Sequence, residues 1–131
     1  MKLDHVGVAV ADLSRALARW QPLLGTPTGA PEEVPSNRVR VLFLSAGGSE
    51  VELVEPLGSD SPVAKFLERR GEGVHHLAFR VPDVDAALAA LIARGERVVD
   101  TKSRPGARGH RVGFAHPSAF GGVLVEYVEG A

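Results

Sequence analysis

The sequence predicts an α+β fold built from two tandem βαβββ modules. Two repeats and one periodicity carry that prediction. "GGSEVELVE" at 47–55 returns as "GGVLVEYVE" at 121–129, an offset of 74. "DHVGVAVADLSRALARW" at 4–20 lies over "HHLAFRVPDVDAALAAL" at 75–91 at an offset of 71. In each half a strand-like run is followed by a helical pattern and then by further strand-like runs. The 131 residues read as one domain comprising module 1 (1–58), a linker helix (59–72) and module 2 (73–131).

In module 1 the opening strand ends at a turn containing Asp12, a side chain suited to accept a first-turn N–H as an N-cap. Leu13, Ala16, Leu17 and Trp20 follow at i, i+3, i+4, i+7, the spacing of one buried helix face, and Gly25 stands where that helix stops. Strands are expected over 37–45 and 49–55, joined by a hairpin turn at Ala46-Gly47-Gly48. Ser61-Pro62 opens the linker helix and Gly71 closes it. Module 2 repeats the plan, with Asp83 as cap, Val84, Ala87, Leu88 and Leu91 as the buried helical face, and Gly95 as stop. Its strands are expected over 97–100, 111–115 and 122–128. The loop "TKSRPGARGH" between them lengthens the offset from 71 to 74.

Bulk properties narrow the function. A 13.8 kDa chain buries roughly two thirds of its unfolded surface, enough for a real core. Net charge of −1 points away from nucleic acid and anionic membranes. There is no run of eighteen apolar residues and the N-terminus lacks a signal-peptide layout, so a cytoplasmic protein is expected. The absence of cysteine leaves His, Asp and Glu as the strong metal ligands.

The polar residues that survive duplication are informative. His5 and His76 match in the first strands, and Glu52 and Glu126 match in the last. All four sit among Val, Leu, Ala, Gly and Phe, where an unpaired charge costs several kcal/mol (~2–7 even for neutral polar groups). Two carboxylates placed there raise each other's pKa. One divalent cation resolves the conflict, since two neutral imidazoles and two carboxylates balance its charge and leave positions for substrate. A metal site of His5, Glu52, His76 and Glu126 is therefore expected.

Other candidates rank below these. Alternation turns His75 to the opposite face from His76, and His116, ahead of Pro117, suits a local hydrogen bond. Glu50, Glu55 and Glu129 are expected to be solvated. Lys102, Arg104, Arg108, His110 and Arg111 crowd the Gly/Pro loop. They are candidates to bind anionic groups of a substrate, with a solvated basic loop as the alternative.

At these residues the sequence resembles the vicinal oxygen chelate superfamily of glyoxalases, bleomycin-resistance proteins and dioxygenases, and within it the methylmalonyl-CoA epimerase family. "VELVEPLGSDSPVAKFLERRGEGVHHLAFRV" (51–81) and "RPGARGHRVGFAHP" followed by "GGVLVE" (104–126) carry the resemblance across essentially the whole chain. It implies a glyoxalase-like, cup-shaped mixed sheet and a homodimer. It further implies an acyl-CoA substrate and one divalent ion, Co2+ first, with Ni2+, Mn2+ and Zn2+ as alternatives. Two departures concern acidic positions, and a further difference lies at Arg38. Some relatives have glutamine where this chain has Glu52. Some have a proton-transfer glutamate on the third strand, near Val41, where "VRVLFLS" has no acid. Arg38 stands where many relatives have glycine.

The implied reaction removes a proton between a thioester carbonyl and a carboxylate and returns it on the opposite face, which asks for two acid/base groups. Glu52 and Glu126, on the two sides of a pseudo-symmetric site, are the candidates for that catalytic pair. Glyoxalase I is the rival enzyme, because it can use the same donor set. An extradiol dioxygenase would leave one glutamate idle. A metal-free binding or resistance protein is the rival outside enzymology, and would not need all four ligands.

Overall fold

The computed structural model describes residues 1–130. The chain divides into two compact units, His5–His75 and Met1–Asp4 together with the chain from His76 onward. Eight strands form one mixed sheet in the order β2-β3-β4-β1-β5-β8-β7-β6. Among the described residues no helix is long and apolar enough to cross a membrane.

In the first unit β1 (Lys2–Ala9) runs parallel to β4 (Ser49–Pro56), which pairs antiparallel with β3 (Val39–Ala46), and β3 with β2 (Glu32–Val34). The β3–β4 hairpin turns at Gly47-Gly48, with Gly47 at φ 76°. Helix α1 (Leu13–Leu24) starts where the Asp12 carboxylate accepts the Arg15 N–H and stops at Gly25, φ 88°. Its Leu13 and Ala16, with Leu17 and Trp20 beside them, pack on Val8, Leu42, Leu44 and Leu53, which alternate onto one face of the sheet. Helix α2 (Pro62–Arg70) is capped by the Ser61 hydroxyl and ended by Gly71.

The second unit repeats the pattern. β5 (Gly73–Arg80) is parallel to β8 (Val125–Glu129), which is antiparallel to β7 (Arg111–Ala115), and β7 to β6 (Arg104–Pro105). Helix α3 (Val84–Ala93), capped by Asp83, packs Val84, Leu88 and Leu91 on Ala115, Val125 and Tyr127. Beneath it Gly113 lets helix and sheet approach closely, since a Cβ there would meet Leu88 at 2.8 Å and Val84 at 3.0 Å.

Three boundaries differ from expectation. Residues 97–100 are not a strand, and only Val98 forms a bridge, to Ala115. The N–H groups of both Val99 and Asp100 donate to the single carbonyl of Phe114 (2.9 and 3.1 Å). A pleated strand sends successive amides in opposite directions, so that geometry excludes one. The module's second strand is instead the two-residue β6. The last strand begins at Val125 rather than 122, because Gly121 and Gly122 hold positive φ of 68° and 106°. β3 begins at Val39 rather than 37, after a short 3-10 turn at Pro35–Asn37 that puts Arg38 in the left-handed region, φ 55°.

Glu55 and Glu129, expected to be solvated, instead tie each helix to its sheet. Glu55 Oε2 accepts the Leu13 N–H at 2.7 Å, and Glu129 Oε1 accepts the Val84 N–H at 2.7 Å. These are the first N–H groups of α1 and α3, which have no partner inside the helix, and the N-terminal dipole favours the carboxylate. Replacing either residue by Ala should lower stability by about 1–2 kcal/mol, the value of a charged cap. Urea denaturation should report this as a reduced midpoint with an unchanged slope.

Candidate metal centre

Strand register sets the first pair. Gly7 lies beside Glu52 in the parallel β1–β4 ladder, and His5, two residues back, shares its face. That face is opposite to the one α1 covers. The His5 Nε2 lies 3.2 Å from Glu52 Oε1. On the far side of Glu52, Phe43 is its direct partner across the β3–β4 ladder, and the Phe43 ring meets the His5 ring edge-on, centroids 5.5 Å apart at 86°.

The second unit builds the same arrangement. Ala78 lies beside Glu126 in the β5–β8 ladder, and His76 shares its face, opposite α3. The His76 Nε2 lies 3.2 Å from Glu126 Oε1. Phe114 is the direct partner of Glu126 on β7, its ring edge-on to His76 at 5.6 Å and 82°. Small residues, Gly7 and Ala78, stand next to each carboxylate and leave its oxygens room. The offset of 71 that relates His5 to His76 also relates Phe43 to Phe114, so the aromatic pair was readable in the sequence, and the residues that lengthen the offset to 74 lie between Phe114 and Glu126 rather than in the 101–110 loop as expected.

The four polar residues are buried, at 4% (His5), 7% (Glu52), 5% (His76) and 5% (Glu126) exposure. Each offers one ligand atom, those atoms lie within 4.8 Å of one another, and the group could hold a metal ion. The donor chemistry fits a borderline divalent cation: two imidazole nitrogens and two carboxylate oxygens, with Nε2 of each imidazole turned to its glutamate.

The basic loop is sorted by its own hydrogen bonds. Arg104 donates from Nε to Asp100 Oδ1 (3.0 Å) and lies over the Phe114 ring at 5.5 Å, one aromatic ring from His76. The other Asp100 oxygen accepts the Phe114 N–H at 2.8 Å, fixing loop and strand together. Arg111 donates to the Ser103 hydroxyl and carbonyl (3.2 and 2.6 Å), at the end of β7 opposite Glu129 and away from Phe114. Arg108 occupies a tight turn at φ 59°, Lys102 is exposed, and the His110 ring occupies the space a Cβ on Gly130 would need, beyond the end of β8. Arg104 thus touches Phe114, the ring beside His76.

The lower-ranked residues take structural positions. His75 packs edge-on against Phe66 of α2 at 4.9 Å. His116 Nδ1 accepts the Ser118 N–H at 3.0 Å, the local turn bond expected of it. Glu50 accepts the Thr28 hydroxyl at 3.0 Å, so it too is bonded rather than merely solvated.

Residues 4–114 match the model of the Glyoxalase/Bleomycin resistance protein/Dioxygenase superfamily. The chain is 41% identical over 127 residues to the ethylmalonyl-CoA/methylmalonyl-CoA epimerase of Cereibacter sphaeroides, covering 95% of each. It is similar to the crystal structure of methylmalonyl-CoA epimerase from Mycobacterium tuberculosis, with TM-score 0.92 and 39% identity over 99% of this chain and 88% of that one. A solved methylmalonyl-CoA epimerase in complex with methylmalonyl-CoA and NH4+ gives TM-score 0.92 and 37% identity, over 99% of this chain and 94% of that one.

Where the loop meets α3, Asp85 accepts both the Ser103 N–H (2.6 Å) and the Ser103 hydroxyl (3.0 Å). The Ser103 backbone bond, then its side-chain bond, hold the Asp85 carboxyl below its ordinary value. A depressed folded-state value means the contact persists as pH falls through the usual aspartate range and is lost only below it. In an amide NMR titration the Ser103 resonance should therefore move with a midpoint under 3.8, and Asp85→Asn should abolish that transition.

Proposed function

Because the chain belongs to the Glyoxalase/Bleomycin resistance protein/Dioxygenase superfamily, we propose that it is a metal-dependent methylmalonyl-CoA epimerase. The observation that carries the reading is the duplicated buried His–Glu pair, His5–Glu52 and His76–Glu126, with ligand atoms close enough to share one ion. The epimerases to which the chain is similar supply the substrate class.

In this reading the two imidazoles and two carboxylates hold one divalent ion, Co2+ before Ni2+, Mn2+ or Zn2+. When bound, such an ion supplies Lewis-acid stabilisation to the negative charge that develops on a thioester oxygen as the α-proton leaves. The residues supply the proton chemistry. Glu52 and Glu126 come from opposite halves of the site, so one, as the carboxylate, takes the proton from the α-carbon, while the other, as the carboxylic acid, gives its proton to the opposite face. Phe43 and Phe114 wall the face beside them and exclude water that would compete for the proton. Arg104 holds the acyl-CoA anion near the site, with Lys102, Arg108, His110 and Arg111 further along the loop. A homodimer completes the reading, on the strength of the family resemblance.

Proton NMR of methylmalonyl-CoA in deuterated solvent tests it. Metal-loaded protein should exchange the α-proton and interconvert the epimers, chelator-stripped protein should not, and His76→Ala should fail to retain Co2+. Glu52→Gln and Glu126→Gln should each slow wash-in by on the order of a hundredfold, and the two should differ in which epimer suffers more. Equal, small losses in both would remove the acid/base pair from the mechanism. Isomerisation of the glutathione hemithioacetal of methylglyoxal without α-proton exchange would replace the epimerase by glyoxalase I. Failure to take up any divalent ion would favour the metal-free binder.

A further inference from the structure

We propose that Phe43 and Phe114 are positioning residues that aim the Nε2 lone pairs of His5 and His76 at the shared ion. The inference deepens the metal reading and rests on it. A histidine χ2 is a broad torsion between sp3 and sp2 carbons, so backbone and χ1 alone leave the ring plane loosely set. A metal ligand tolerates error of only about 10–20°. Something must therefore fix each imidazole plane, and both units use the same device. The phenyl ring stands near-perpendicular to the imidazole, at 86° for Phe43 on His5 and 82° for Phe114 on His76. Edge-to-face contact is the preferred aromatic geometry, and it is lost if the imidazole rotates.

Three features separate this from ordinary core packing. Each phenylalanine is the direct cross-strand partner of the glutamate its histidine meets, so one ring flanks both ligands of its pair. The arrangement occurs twice, at the sequence offset of the histidines. Each phenylalanine is also anchored by its own carbonyl: Phe43 accepts from the Thr28 N–H at 3.0 Å, and Phe114 from the Val99 N–H at 2.9 Å. Thr28 and Val99 are themselves 71 apart. The duplication has preserved histidine, glutamate, phenylalanine and the backbone bond to its carbonyl as a unit. Bulk apolarity would require no such register.

The test replaces the plane while keeping the apolarity. Phe43→Leu and Phe114→Leu should each weaken Co2+ binding about tenfold, the lower end of what loss of an outer partner costs, as measured by chelator competition. Both should also shift the visible ligand-field bands of the Co2+ protein, which report ligand geometry and do not respond to a change in global stability. Phe43→Tyr and Phe114→Tyr, which restore the ring, should return affinity and bands toward wild type. Phe→Met at either position fills the volume without a plane and repeats the test should a Leu variant fail to fold. Leu or Met variants with unaltered Co2+ affinity and bands would overturn this inference while leaving the metal reading intact. Absence of Co2+ uptake by the wild-type protein would overturn both.

Discussion

Two carboxylates buried on one sheet face set the terms for the rest of the structure. At the separations found here, up to 4.8 Å, two like charges repel by about 3 kcal/mol at an effective dielectric constant of 20. Desolvation adds several kcal/mol for each ion (roughly, after relaxation). Neighbouring Val, Ala and Phe side chains supply no compensating charge. Each glutamate has a histidine nitrogen at 3.2 Å, and a divalent cation held by the four residues would offset the charge of both carboxylates. In the proposed reading, all four donors serve that one ion.

Duplication makes the placement of these donors economical in sequence. A parallel ladder that places Gly7 beside Glu52 also places Ala78 beside Glu126, so one register solved once yields both pairs. The same logic fixes the helices. Glu55 and Glu129 lie three residues beyond the ligand glutamates on β4 and β8, and each holds the first N–H of its own helix. The strand that carries a ligand is thus tied at its end to the helix packed on its opposite face. Helix position and ligand position cannot drift independently.

Much of this was legible because its causes are local. Asp12 and Asp83 cap helices through bonds to residues three positions on, and Gly25 and Gly71 end them through their own φ. The grouping of His5, Glu52, His76 and Glu126 was legible for a different reason: charge inside an apolar strand is conspicuous, and the repeat marked the same positions twice. What escaped depends on contacts distant in sequence. Val98-Val99 has strand composition, but Asp100 reaching to the Phe114 N–H turns the chain away. β6 has two residues, too few for any periodicity, and exists because Arg104 pairs with Val112. Glu55 and Glu129 look like strand-end charges until helix and sheet are brought together. The basic loop reads as uniformly cationic, whereas Asp85, Asp100 and Ser103 divide its charges among separate tasks.

The two departures from the relatives become intelligible on the same face. Val41 is two residues from Phe43 on β3 and pairs with Val54, as Phe43 pairs with Glu52. Alternation therefore puts position 41 on the ligand face, one step along from Glu52, where an acid in some relatives would address the same volume. Here it is a valine only 2% exposed, which neither carries a proton nor admits water to carry one. At position 52 the change runs the other way, to an acid where some relatives have an amide. On the first-module face of this chain the carboxylate is Glu52 on β4, and β3 carries no acid. In the proposed reaction Glu52 has a second task beyond ligation, because "VRVLFLS" offers no acid to stand opposite Glu126.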